Sequence, residues 1–314
     1  MGRAGNLILF TSLCFAVVLT CTPFCFADAV DAANAGMEAN KKGDKEKAKV
    51  LFRSALKSNE LSKENYIVVN NELCGVLWSE SKRDQALDCY SETLYLSPDD
   101  PVARLKRGTL YHQTGEYDKA VKDLTRYIAV APRDHMGYIY RGISFRASKK
   151  YDQAISDLSH ALWLRPGHGE GYILRGNTYF RTGNYNLAMA DFKKAVKTGP
   201  ENPYAYQAMA WLFAACPNRD FRDGAAAVEL AEKALRLETA GTPGPVILAT
   251  LAAAYAESGM FRKAVATQKQ AVAQAGRGKF SDISKFDVSK FHVSKEELGR
   301  RLELYRNSRV YEPE

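Results

Sequence analysis

PVARLKRGTLYHQTGEYDKAVKDLTRYIAVAPRD, residues 101–134, and HMGYIYRGISFRASKKYDQAISDLSHALWLRPGH, residues 135–168, are two copies of one 34-residue pattern. Arg107-Gly108 returns as Arg141-Gly142 and again as Arg175-Gly176. Tyr117, Tyr151 and Tyr185 keep the same phase, as do Ala120, Ala154 and Ala188, and Pro98, Pro132, Pro166 and Pro200. A fixed period of this length marks stacked supersecondary units, each of which buries its apolar face on its neighbours. Such an array predicts an extended binding surface rather than a catalytic pocket.

Within residues 101–134 the spacing predicts two helices. Arg104, Gly108 and Tyr111 share a face of the first; Tyr117, Ala120, Leu124 and Tyr127 share a face of the second. Gly115-Glu116 makes the turn between them, and Pro132 follows the second helix, whose hydrogen-bond ladder it cannot continue. Carried in both directions, the phase places units at 29–62, 67–100, 101–134, 135–168, 169–202, 203–244 and 245–278. The expected fold is all-α: a solenoid of about seven helix pairs over residues 28–278.

The small residue at repeat position 8, the aromatic at 11, Gly at 15, Tyr at 17, Ala at 20 and 27 and Pro at 32 resemble the tetratricopeptide repeat. Residues 101–202 carry nearly every position. The unit before them keeps Cys74, Leu77, Ala86, Tyr90 and Pro98, and the first keeps Gly36, Gly43, Ala48, Phe52 and Ala55. The last two retain Ala210, Phe213, Ala227 and Ala234, then Ala252, Tyr255, Gly259, Phe261, Ala264 and Ala271. The resemblance implies a right-handed superhelix whose first helices line a concave groove, and a protein- or peptide-binding scaffold rather than an enzyme. Family groove positions carried onto this chain give Trp78, Lys106, His112, Tyr140, Arg146, Asn177, Phe180, Arg181, Tyr204 and Trp211. Aromatic anchors beside basic groups suit a peptide, with acidic side chains or a terminal carboxylate meeting Lys106, Arg146 and Arg181. The Lys, Asn and Arg set with which chaperone-binding members clamp a carboxylate is not reproduced.

Arg107, Arg141 and Arg175 invite a reading as a ladder of anion hooks. Sixteen residues after each stands an aspartate: Asp123, Asp157 and Asp191. The other four units carry Ala35 and Leu51, Leu73 and Cys89, Met209 and Leu230, and Leu251 and Thr267 at those positions. Charge occurs at both positions or at neither, so the expected role is an ion pair between the two helices of one unit, with Arg offering a planar fork to carboxylate.

Three stretches depart from the period. Unit 203–244 holds an insertion at Cys216 to Gly224, read as a longer connection with a new helix starting near Asp223. Residues 279–293 repeat a short phrase, Lys285-Phe286-Asp287-Val288-Ser289 and Lys290-Phe291-His292-Val293-Ser294, whose period fits neither helix nor strand. They are expected to form an irregular surface segment that pins Phe280, Phe286 or Phe291 against the last repeat. Over residues 294–314, Ser294 and Glu297 predict a capping box, opening a helix through Leu298, Leu302 and Tyr305 that covers the exposed end of the array.

Composition agrees with a packed, non-enzymatic chain. Of 314 residues 46% are hydrophobic, with 17 Tyr and 14 Phe, which excludes a disordered chain. The formal charge of +8 is spread over the repeats without a dense Lys/Arg run, which suits an acidic partner and argues against nucleic acid. No phosphate-cradling Gly loop, His-Glu-x-x-His or Gly-x-Ser-x-Gly occurs, and His112, His135, His160, His168 and His292 lack tight ligand spacing. No catalytic residue, metal or cofactor is therefore expected.

Residues 1–27 read as an export segment: Arg3, then apolar residues from Leu7 to Thr20, then small residues around Ala27 for cleavage. The chain is accordingly expected to be exported, periplasmic or secreted. Two rivals stay open: residues 7–27 are uncharged and long enough to anchor the chain in a membrane, and Cys21 follows Leu19-Thr20 in weak imitation of a lipoprotein site. Either rival would make the chain a membrane-held assembly factor recruiting an envelope enzyme. Beyond that segment lie Cys74, Cys89 and Cys216, an odd number at wide spacing, read as not forming a disulfide framework. Cys74 is expected to be a buried small residue.

Overall fold

The fold was obtained as a computed structural model, which describes residues 28–238, 244–275 and 294–312. The described residues contain fifteen α-helices and no strands: α1 (Ala29–Lys41), α2 (Lys45–Lys57), α3 (Lys63–Ser79), α4 (Arg83–Leu96), α5 (Pro101–Gln113), α6 (Tyr117–Val130), α7 (His135–Ala147), α8 (Tyr151–Leu164), α9 (Gly169–Arg181), α10 (Tyr185–Thr198), α11 (Pro203–Ala215), α12 (Gly224–Leu237), α13 (Pro245–Glu257), α14 (Phe261–Ala275) and α15 (Lys295–Arg306). None is long and apolar enough to cross a membrane. Residues 1–27 and 279–293, where the export segment and the phenylalanine phrase were placed, lie outside the described residues.

The chain divides into two compact units within α3, after Val69. The first contains α1, α2 and the start of α3; its helices pair through Ala48, Phe52 and Ala55, all buried. The second runs from Asn70 onward and stacks helix pairs in chain order, each helix packing on its partner and then on the next unit.

Three local devices recur at the repeat period. Repeat position 34 caps the next unit's first helix: the Asp100, Asp134 and Asn202 side chains accept from the backbone N–H of Ala103, Met136 and Tyr204 at 2.7, 2.9 and 2.9 Å. Position 15 turns the chain in the left-handed region, at Gly43, Gly115, Gly183 and Gly259; Ser81 and Lys149 adopt it at φ 63° and 60° despite their side chains. Position 8 sets the helix approach. A Cβ on Gly108, Gly142 or Gly176 would lie 2.9 Å from Leu124, 3.0 Å from Leu158 or 2.5 Å from Phe192.

That close approach brings position 7 against position 23. Arg107 donates from Nε to Asp123 Oδ2 at 2.7 Å and from Nη2 to Oδ1 at 2.9 Å. Arg141 meets Asp157 at 2.7 and 2.8 Å, and Arg175 meets Asp191 at 2.8 and 2.8 Å, in the same two-bond fork. Asp123 also receives Arg104 at 2.6 Å. All three aspartates are buried. The remaining guanidinium nitrogen reaches back to the preceding unit, where Nη1 of Arg107, Arg141 and Arg175 donates to the hydroxyls of Ser91, Thr125 and Ser159 at 2.9, 3.1 and 3.0 Å.

The preceding unit uses covalent chemistry at the corresponding place. Cys74 on α3 is disulfide-bonded to Cys89 on α4, with their Cα atoms 5.5 Å apart. This corrects the reading that these cysteines form no disulfide framework; Cys74 is buried as expected but is also covalently bonded. Fifteen residues separate them in sequence, but position 8 of one helix faces position 23 of the other across the closest approach in the repeat. Among the described residues Cys216 is a buried free thiol.

Two stability outcomes follow from these clasps. Arg141→Ala strands a buried carboxylate and is expected to cost roughly 3–5 kcal/mol, whereas Arg141→Met combined with Asp157→Leu costs distinctly less; thermal unfolding of both variants checks this, and equal midpoints would remove the pairing from the fold's energetics. Replacing Cys74 and Cys89 together by Ala is expected to cost about 3 kcal/mol for a loop of this length. A reductant should lower the unfolding midpoint of the native chain and leave that of the double variant unchanged.

Candidate functional site

The first helices of successive units in the second unit of the chain, α5, α7, α9, α11 and α13, contact one another more closely than the second helices do. The stack therefore closes on the side of the first helices, and their outward residues line its inner face. Lys106 and Arg181 are exposed there, and Trp78, His112, Tyr140, Arg146 and Tyr204 are half-buried. The Trp78 indole N–H donates to Gln113 Oε1 at 3.1 Å, and the Lys106 ammonium stands 5.5 Å from the indole centroid. Ser144 Oγ lies 3.2 Å from His112 Nδ1 and also donates to the Tyr140 carbonyl. Burial pushes the Tyr140 phenol up, with the charges of Glu170 and Asp134 adding to the effect. These contacts place an aromatic and basic surface across several consecutive units.

Three of the sequence-predicted groove residues are not open to a ligand. Phe180 is buried, its ring 5.5 Å from that of Tyr185, which in turn lies 5.5 Å from Phe221 in the insertion of the sixth helix pair. Asn177 is 1% exposed, and among the described residues neither polar atom of its side chain finds a hydrogen-bond partner. Trp211 is covered by the C-terminal segment: the Arg301 guanidinium sits 4.6 Å from its ring and 4.1 Å from that of Tyr311. The repeat phase placed all three on the first helices, but the packing of their neighbours closes them: Tyr185 of the same unit over Phe180, and the C-terminal segment over Trp211.

Two tetratricopeptide repeat family models match the chain, one over residues 73–136 and the other over residues 145–212. Residues 73–136 and 145–212 carry tetratricopeptide repeats. It is similar to a solved tetratricopeptide repeat protein from Parabacteroides merdae ATCC 43184, 17% identical over 89% of this chain and 99% of that one, with a TM-score of 0.68. It is also similar to MamA 41-end from Desulfovibrio magneticus RS-1, 18% identical over 55% of this chain and 95% of that one, with a TM-score of 0.51. At these identities the likeness speaks to the fold. No curated protein matches the chain.

The tetratricopeptide repeat also assembles a site that the sequence reading passed over. His135 and His168 stand at the start and the end of one 34-residue unit, and stacking brings their ring centroids to 5.1 Å. Their separation of nearly one full period was the signal that could have found them. Among the described residues no group of metal-ligating side chains accompanies them. His168 Nδ1 caps α9 by accepting the Gly171 N–H at 2.9 Å, and Arg165 Nη1 lies 3.4 Å from His135 Nε2. Burial lowers the His168 pKa to about 4, helped by His135 and Arg165; His135 is lowered by burial and by Arg165.

The sign of the resulting pH dependence is fixed by that depression. Between the ordinary histidine pKa of about 6.5 and the folded value of about 4, the unfolded chain binds a proton that the folded chain refuses. Stability is complete above that window and falls as pH descends through it. His168→Asn keeps an N-cap acceptor and removes the titration, so its unfolding midpoint should vary less between these two pH values than that of the native chain.

Proposed function

We propose that the chain is an exported, non-enzymatic scaffold that holds a protein or peptide against the first helices of its tetratricopeptide array. The observation that carries this reading is a division of labour between repeat positions. The arginines that recur identically at position 7 are consumed by Asp123, Asp157 and Asp191. The residues that differ from unit to unit, among them Trp78, Lys106, Tyr140, Arg146, Arg181 and Tyr204, line the inner face. Specificity for one partner needs a surface that varies along its length, and a mixture of rings and cations suits an acidic peptide with apolar anchors. The tetratricopeptide fold is generally that of an interaction scaffold, and among the described residues none at the repeating positions is arranged as a nucleophile, base or metal site.

Export into the bacterial envelope is supported by two independent features. Arg3 and the apolar run that follows have the order of a signal segment. The Cys74–Cys89 bond is of a kind that forms and persists in oxidising compartments. Intact mass of the mature chain tests the first: a start at Asp28 or Val30 supports cleavage, and retention of residues 7–27, or a lipid on Cys21, would make the chain a membrane-held assembly factor instead.

The partner-binding surface is tested by affinity capture from an envelope extract. The native chain should retain a discrete partner that Tyr140→Ala combined with Arg181→Ala loses, while circular dichroism stays unchanged. Equal capture by both chains would move the binding surface elsewhere.

A further inference from the structure

The insertion at Cys216–Gly224 departs from the 34-residue period, and it is tied to the far end of the chain. A short 3-10 turn over Arg219–Phe221 precedes α12, whose N-cap Asp223 accepts from Ala226 N–H at 3.0 Å. The turn presents Arg219, whose Nη2 donates to Glu312 Oε1 at 2.8 Å. Arg222 is held from Nε by the Cys216 carbonyl at 2.7 Å and points Nη2 at the same carboxylate, 3.7 Å away. One residue earlier, Tyr311 is buried beside Trp211, with ring centroids 5.8 Å apart. Arg301 lies against both rings and is fixed from Nε by Glu297 at 2.9 Å.

The segment that carries Tyr311 and Glu312 is irregular, not helical. Ser308, at φ 54°, ends α15 and turns the chain back. The tail is then anchored by one ring and one carboxylate. The ring enters a slot walled by an indole and a guanidinium, and the carboxylate meets two arginines on a loop that the 34-residue period does not require. This is how an extended peptide is held by a protein surface: an aromatic anchor in a desolvated slot, with a charge-assisted contact at its rim. Trp211 lies on a first helix, so the slot belongs to the same inner face to which the partner was assigned above.

We propose that Tyr311-Glu312 is an occupant in cis of a peptide site on α11 and the 216–224 insertion, and that the site takes the same chemistry, an aromatic residue followed by an acidic one, from a protein partner once the tail is displaced. The inference rests on reading the array as a peptide-binding scaffold and adds to it both a recognition chemistry and a self-imposed gate. A competitor attached to the chain lowers the apparent affinity for a partner by the fraction of time the site is free. A partner must therefore outcompete the tail, and weak aromatic–acidic segments are turned away.

The test uses a fluorescein-labelled, C-terminally amidated peptide with the sequence of residues 307–314 and follows its anisotropy against two chains, the native one and one ending at Asn307. The shortened chain should bind the peptide at least about tenfold more tightly than the native chain, as expected when a tethered competitor is removed. Arg219→Glu in the shortened chain, or Ala in place of the peptide's Tyr and first Glu, should return binding to the native level. A shortened chain that still unfolds cooperatively but binds no better than the native one overturns the proposal and makes the tail a structural cap. Equal binding of the native and the alanine-substituted peptide overturns it as well. If the shortened chain does not unfold cooperatively, Tyr311→Ala in the full chain takes its place, with the same two outcomes. Capture through Tyr140 and Arg181 is read separately, so the scaffold reading survives or fails on its own experiment.

Discussion

The structure depends on how closely the two helices of each unit approach. At Gly108, Gly142 and Gly176 an added Cβ would press on Leu124, Leu158 and Phe192, which pack directly against the glycine. Helices this close place the neighbouring position 7 within bonding distance of position 23. A carboxylate that stands there must then be paired, since an unpaired buried carboxylate is costly. Three units pair it in an Arg–Asp fork, and the unit formed by α3 and α4 carries no charge there and closes instead with a disulfide from position 8 to position 23. The fork does more than close its own unit, because its free nitrogen reaches a hydroxyl on the unit before. Intra-unit closure and inter-unit stacking are thus carried by one side chain.

Where the fork is absent, the stack is held by other means. Met209 and Leu230, and Leu251 and Thr267, replace the charges in the last two units. Small apolar residues dominate there: Ala205, Ala208, Ala210, Ala214 and Ala215 on α11 are buried, as are Ala249, Ala252, Ala253 and Ala254 on α13. A buried Gln207–Thr250 hydrogen bond at 2.7 Å links the two helices. This is also the region that α15 covers, with Leu298 and Tyr305 fully enclosed. Glu297, expected only to complete a capping box, receives Arg300 at 2.7 Å and Arg301 at 2.9 Å and so helps fix the cation over Trp211. The end of the array is therefore the place where the fold and the proposed peptide site share residues.

The inner face follows a different logic from the clasps. Its residues change from unit to unit because nothing in the helix approach constrains them, and that freedom allows them to match a partner. Their accessibility is set by their neighbours. Lys106 and Arg181 remain in solvent, whereas Phe180 is closed over by Tyr185 and Trp211 by Arg301 and Tyr311.

By itself the sequence determined the helix pairs, their order and the identity of the ion pairs. Each of these is local or repeats at a fixed phase, so comparing one copy with another exposes it: charge at positions 7 and 23 occurs together or not at all. The hydroxyls of Ser91, Thr125 and Ser159 were equally periodic and could have been read in the same way. The Cys74–Cys89 bond, the His135–His168 pair and the covering of Trp211 by Tyr311 were decided only in the tertiary structure. The first breaks the pattern of its neighbours, the second joins the two ends of one unit, and the third joins residues 100 positions apart. A repeat predicts what every copy shares, and these contacts arise where one copy differs from the rest or where the chain outside the repeats folds back upon them.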